Sequence, residues 1–161
     1  VRRQRQMCIR DSNHGNQPSL HIPWLFNFSG KPYLTQKWTR LICDEFYGTN
    51  GEHGYGYGQD EDQGQLGAWY VISSMGLFDV KGLTDIHPSF SLGAPLFDKI
   101  TIHLNKEYYP GDQFVITTTG NTGSDAYVNQ YLLNGKPIQG VHLPFTEIVK
   151  GGKLEVQMHT N

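Results

Sequence analysis

Apolar positions between Asn13 and Tyr47 recur at helical spacing in two pieces. In the first, Leu20, Trp24, Leu25 and Phe28 lie three to four residues apart behind a polar Asn16-Gln17-Pro18 start, and Ser29-Gly30-Lys31-Pro32 breaks the run. Pro23 falls near the beginning, where a helix tolerates it best. In the second, Leu34, Trp38, Leu41 and Ile42, with Cys43 or Phe46, share one side, and Gln36, Lys37, Arg40 and Asp44 largely share the other. This pattern predicts an amphipathic helix with its apolar side inward. A third helix is predicted from Leu66, Trp69, Tyr70, Ile72 and Met75, closed by Gly76. Ala68 and Val71 make it apolar nearly all round, the pattern of a buried helix.

From Ile100 the period falls from about 3.6 to 2. Ile100, Ile102 and Leu104 alternate with Thr101 and His103; Phe114 and Ile116 alternate with Val115 and Thr117; Leu154, Val156 and Met158 alternate with Glu155 and Gln157. These are strands. Asn134-Gly135, between Tyr127–Leu133 and Lys136-Pro137-Ile138, predicts a hairpin on a two-residue type I′ turn, and Gly151-Gly152 marks a turn before the last strand. The expected fold is α+β: helices, a connecting segment with Pro88 and Pro95, then an antiparallel β region of four to six strands.

Composition narrows the partners. The 161 residues carry a formal net charge of -2 with 17% charged side chains, so no basic footprint for nucleic acid is present. No apolar run reaches the roughly 18 residues of a membrane span. Cys8 and Cys43 make neither a disulfide framework nor a metal quartet. Nineteen glycines beside 3 Trp, 9 Tyr and 8 Phe describe a loop-rich chain with many aromatic faces. Residues 1–12, VRRQRQMCIRDS, are basic and aperiodic, unlike the turn-rich and helical segments after Ser12. Met7–Ser12 resembles one reading frame of a sequencing adapter, ATG TGT ATA AGA GAC AG, so 1–12 is expected to be an adapter scar outside the fold.

The segment richest in chemistry is Asp60-Glu61-Asp62-Gln63-Gly64-Gln65, set between a Tyr-Gly loop and the third helix. Carboxylates at a helix N-terminus stay ionised, and aromatic faces beside carboxylates suit a pyranose. The alternative is structural: Asp62 as N-cap, with Gln65 reaching back as in a capping box. A calcium-binding EF-hand fails, because counted from Asp60 the glycine is fifth and the twelfth residue is Val71. His14, His21 and His53 have no zinc spacing, and Gly54–Gly58 lacks the strand and Lys-Ser/Thr of a phosphate loop.

Three strings then accumulate in order: HGNQPSLHIPWLFN at 14–27, GQDEDQGQLGAWYV at 58–71 and LGAPLF at 92–97. Together they resemble the C-terminal part of glycoside hydrolase family 92, a family of calcium-dependent, inverting exo-α-mannosidases, and the likeness runs over nearly all of 13–161. It implies that 13–80 are the last helices of an (α/α)6 catalytic barrel and 81–161 a β-sandwich-like tail. It further implies a longer parent with an N-terminal β domain and the rest of the barrel, acting on mannose-containing glycans in the periplasm, at the cell surface or outside a bacterium. By the same resemblance Asp60 and Asp62 fall in the general-base region, His14, Gln17 and Glu61 contact sugar, and Asn16 contacts Ca2+. Family members commonly carry Glu where this chain has Gln17, and the family's general acid has no counterpart here, so this piece alone is expected to be inactive. The competing class is a noncatalytic carbohydrate-binding or interaction module built on the β tail.

Overall fold

The structure is a computed structural model that describes residues 14–47, 64–123 and 126–160. The chain opens with two short 3-10 segments, Gln17–Ser19 and Ile22–Asn27, where the sequence pattern predicts one α-helix. Proline explains the difference: Pro23 has no N–H to offer the Ser19 carbonyl, and its ring crowds that carbonyl in an α-turn. The tighter bonds survive, from Ser19 N–H to Asn16 O (2.8 Å), Trp24 N–H to His21 O (3.0 Å) and Phe28 N–H to Leu25 O (3.0 Å).

Helix α1 (Pro32–Glu45) forms as expected, with Cys43 buried and Lys37 and Asp44 exposed, but its buried stripe is rotated towards the polar positions Gln36 and Arg40. Its buried positions are Thr35, Gln36, Thr39, Arg40 and Cys43, whereas Tyr33 and Trp38 are 52% and 41% exposed. The reason lies in what the helix meets. Its polar side abuts irregular backbone whose amide and carbonyl groups need partners. The Arg40 guanidinium donates to the carbonyls of Pro95 and Gly123 (2.7 Å to Gly123) and to Asn121 Oδ1 (3.0 Å). Gln36 Oε1 accepts the Val128 N–H at 3.0 Å.

Helix α2 (Gln65–Ser74) ends at Gly76, whose φ of +74° is the expected left-handed stop. Leu66, Trp69, Ser73 and Ser74 are buried, but Val71 is 56% exposed, so the helix is not enclosed as its composition predicts. Its apolar outer side has no neighbour among the described residues to cover it.

Eight strands come next: β1 (Leu77–Phe78), β2 (Ser89–Leu92), β3 (Lys99–His103), β4 (Gln113–Thr119), β5 (Ala126–Leu133), β6 (Lys136–Pro137), β7 (His142–Pro144) and β8 (Gly152–Thr160), with the short helix α3 (Phe145–Val149) before β8. They make a three-stranded sheet in the order β1-β2-β7 and a five-stranded sheet in the order β3-β4-β8-β5-β6. The expected hairpin is present: Asn134 (φ +49°) and Gly135 (φ +79°) turn β5 into β6. One pairing departs from the antiparallel expectation. β8 runs parallel to β4, with Ile116 opposite Leu154, because it returns through α3 rather than through a tight turn.

Alternate residues of both sheets meet in one core. Leu77, Leu92 and Leu143 from the small sheet pack with Phe114, Ile116, Tyr131, Leu154, Val156 and Met158 from the large one. The arrangement is sandwich-like, and the fold is α+β. A second cluster of Leu20, Trp24, Cys43, Leu66 and Trp69 joins the helices to the small sheet through Phe78 and Val80. Gly93 lies between the clusters, and a Cβ there would come within 2.9 Å of the Trp24 ring.

Arg40→Ala is expected to leave the buried Pro95 carbonyl without its donor, at about 1–3 kcal/mol, whereas the Gly123 carbonyl, on an exposed residue, can turn to water. The check is equilibrium urea unfolding. Arg40→Lys should recover little, since an ammonium cannot span acceptors arranged around a planar fork. Gly93→Ala is expected to displace the fully buried Trp24 and destabilise by about 1–3 kcal/mol, read from the same curves.

Candidate active site

Asp60, Glu61 and Asp62, the expected catalytic and sugar-contacting acids, lie outside the described residues. The described residues do define the frame around that segment. Tyr47 at the end of α1 and Gly64 before α2 bound residues 48–63, and His14 sits against both helices.

His14 is only 6% exposed. Its Nε2 shares a hydrogen bond with the Tyr47 hydroxyl at 2.9 Å. Its ring meets Trp69 edge-on at 4.2 Å and Phe46 at 5.1 Å, and Tyr47 stacks on Trp69 at 5.7 Å. Trp69 is held in turn by its Nε1–H, which donates to Leu20 O at 2.7 Å. One ring cluster therefore ties the start of the chain, the end of α1 and the start of α2 to each other. Burial lowers the His14 pKa to about 4, so the imidazole is neutral near pH 7. Its Nδ1 is buried with no hydrogen-bond partner among the described residues.

The capping reading of Asp62 falls on a residue outside the described ones. The residue before α2 is Gly64, in the left-handed region at φ +80°, and its carbonyl accepts the first helical bond from Ala68 N–H at 3.0 Å. The cap position of α2 is thus held by Gly64, without a side-chain cap bond. The positive end of α2 points to where the acidic segment rejoins the described chain.

Asn16 is exposed and stands at the cap position of the first 3-10 turn without a side-chain cap bond; Gln17, next in the chain, is half-buried. The Asn16 amide oxygen is a hard donor of the kind calcium takes, but calcium needs six to eight oxygens. Among the described residues no group of three or more His, Cys, Asp or Glu is placed to hold a metal ion. Nor are the tryptophans open sugar platforms in general: Trp24 and Trp69 are buried, and Trp38 is the one with an exposed face. Cys43 is inert, its thiol pushed up to about 12 by burial.

Tyr47 is the participant that sequence reasoning missed. It lies 33 residues from His14, and no local periodicity links the two.

The model of the family described as the Glycosyl hydrolase family 92 catalytic domain matches residues 2–160. The chain belongs to glycosyl hydrolase family 92. Among solved structures it is similar to the family GH92 alpha-mannosidase BT3965 from Bacteroides thetaiotaomicron, with 28% identity and a TM-score of 0.78 over 92% of this chain and 19% of that one. It is also similar to the family GH92 inverting mannosidase BT2199 from Bacteroides thetaiotaomicron VPI-5482, with 32% identity and a TM-score of 0.76 over 98% of this chain and 20% of that one. An uncharacterized secreted glycosidase of Arthroderma benhamiae is 24% identical over 93% of this chain and 19% of its own length. The chain thus spans about a fifth of the length of these relatives. Membership of family 92 is compatible with a calcium cofactor. Among the described residues no helix is long and apolar enough to cross a membrane.

The buried His14 generates a pH prediction. Its pKa is about 4 in the folded protein and about 6.5 in the unfolded chain. Between those values the unfolded state binds the extra proton, so stability is full above about pH 6.5 and falls as pH drops towards 4. Chemical denaturation at pH 7 and at pH 4.5 should show that loss, and His14→Gln should reduce the difference between the two.

Proposed function

We propose that this chain is the C-terminal portion of a longer, inverting, exo-acting α-mannosidase that hydrolyses α-mannosides of glycans. The observation that carries the reading is the family match over nearly the whole chain. The likeness to two solved mannosidases, one titled an inverting enzyme, supports the reaction class.

In this reading the helices belong to an (α/α)6 barrel, and Asp60 and Asp62 work at one sugar site. One of the two draws a proton from water as that water attacks the anomeric carbon, and the other orients the water or adjusts its partner's pKa. The glycosidic C–O bond breaks as the new one forms, and the leaving oxygen takes a proton from an acid in the portion of the parent that precedes this chain. Inversion leaves room for the water between acid and base, roughly 6.5–9.5 Å, which neighbours as close in sequence as Asp60 and Asp62 are poorly suited to supply as a pair. The positive end of α2 favours the ionised form a base needs. Neutral His14, braced by Tyr47 and Trp69, offers hydrogen bonding without adding positive charge beside an oxocarbenium-like centre. Gln17 and Glu61 contact sugar hydroxyls in this reading, and Asn16 contributes one oxygen toward Ca2+. Export to the periplasm, cell surface or medium fits a glycan substrate and the secreted fungal relative.

In the intact parent, Asp60→Ala and Asp62→Ala should each lower kcat by roughly 10²-fold or more with melting temperature little changed, measured on an aryl α-mannoside. Proton NMR of the first-formed sugar should show β-mannose. First release of α-mannose, or near-normal kcat in both variants, would overturn the base assignment.

A further inference from the structure

The small sheet has two unlike faces. Leu77, Leu92 and Leu143 point into the sandwich core, whereas the intervening residues of β2, Ser89 and Ser91, point the other way. Ser91 is paired directly with His142 of β7, so their side chains stand together on that second face. Phe28, at the end of the second 3-10 segment, leans over them, its ring 5.1 Å from that of His142. With Asp79 and Lys81 these residues line a cleft of about 150 Å³. A cavity of that order accommodates a single six-membered ring.

The cleft mixes an apolar wall with polar groups that are open to a ligand. The hydroxyls of Ser89 and Ser91 and the His142 imidazole make no hydrogen bond to another described residue, and although Ser91 as a whole is 2% exposed, its hydroxyl is not sealed from the cleft. The charges at the rim are already engaged. Asp79 accepts from the backbone N–H groups of Lys81 and Leu83, and Lys81 is ion-paired with Asp85. His142 is held below its ordinary pKa by burial and by the Lys81 ammonium, which keeps the imidazole a neutral donor and acceptor. What remains on offer is two hydroxyls, a neutral imidazole and the face of Phe28, which is 53% exposed.

We propose that this cleft is a second carbohydrate subsite that takes one neutral pyranose ring, its C–H face against Phe28 and its hydroxyls on Ser89, Ser91 and His142. It shares no residue with the His14–Tyr47–Trp69 cluster or with the acids at 60–62. An anion is the poorer fit, because Lys81, the cation at the rim, is paired. A sugar residue held here places another part of the same glycan, or a second chain, against the enzyme without being cleaved.

The test uses the intact parent carrying Asp62→Ala, so that loss of the proposed chemistry at the other site does not bear on the outcome. Its histidine rings are 13C-labelled, and the His142 signal is assigned with His142→Gln. Titration with methyl α-mannopyranoside should move that signal saturably, and Phe28→Ala and Ser91→Ala should each weaken the response at least tenfold. A His142 signal that stays in place as the sugar rises to high millimolar concentration would overturn the proposal. So would a shift produced by inorganic phosphate but not by sugar, or an unchanged response in both variants. Melting temperatures of the two variants close to that of the parent establish that lost binding reflects the cleft.

Discussion

Burial of the Arg40 guanidinium is the interaction on which the relation between helices and sheets depends. It is 3% exposed, and among the described residues no carboxylate accepts from it; its two terminal amino groups meet two backbone carbonyls and the Asn121 amide, while its Nε–H has no partner among the described residues. Asn121 is itself fixed by a bond from its Nδ2 to Leu96 O at 3.1 Å. Loops that would otherwise carry unpaired carbonyls are thus organised by one side chain from a helix some 55 to 83 residues earlier in sequence. Gln36, one turn away on the same side of α1, does the same for β5 at the bulge between Val128 and Gln130, where the ladder with β8 shifts register. The cost of desolvating a cation is offset in part by three charge-assisted hydrogen bonds, the one to Pro95 O buried.

This arrangement accounts for what could and could not be read along the chain. Strand positions were legible wherever one face is core, as at Phe114 and Ile116 or at Leu154, Val156 and Met158, because period 2 is imposed by burial. The Asn134-Gly135 turn was legible because its backbone angles exclude most other residues. The inward side of α1 was not, since amphipathicity assumes that apolar side chains seek the nearest core. Here the nearest surface is polar backbone, and Tyr33 and Trp38 are left turned outward. The parallel register of β8 on β4 was equally hidden, for alternation in one strand says nothing about its neighbour's direction. The three-stranded sheet escaped notice because β1, β2 and β7 are two to four residues long.

For the candidate active site, local motifs carried the family and the residue types, while the supporting contacts are long-range. The string beginning at His14 and the string reaching Trp69 were both readable as motifs, but their meeting through Tyr47 belongs to the fold. His14 combines a neutral imidazole with a rigid aromatic surround, which fixes its direction as firmly as its charge state. Rigidity of this kind, supplied from three separate elements, is what a positioned hydrolytic site requires of its supporting residues.

The central place of β8 has a consequence for how the molecule is made. On a ribosome β3, β4, β5 and β6 all emerge before it, yet β4 and β5 are neighbours only of β8 on their inner edges. Until Gly152–Thr160 is out, the large sheet exists as two separate hairpin-like halves with open, apolar-faced edges. Closure then joins segments across long stretches of sequence in one late step, which is slow on topological grounds. Synthesis is therefore the interval in which this β region is most exposed to wrong pairing, and a holding chaperone or a pre-formed upstream surface would act in that interval.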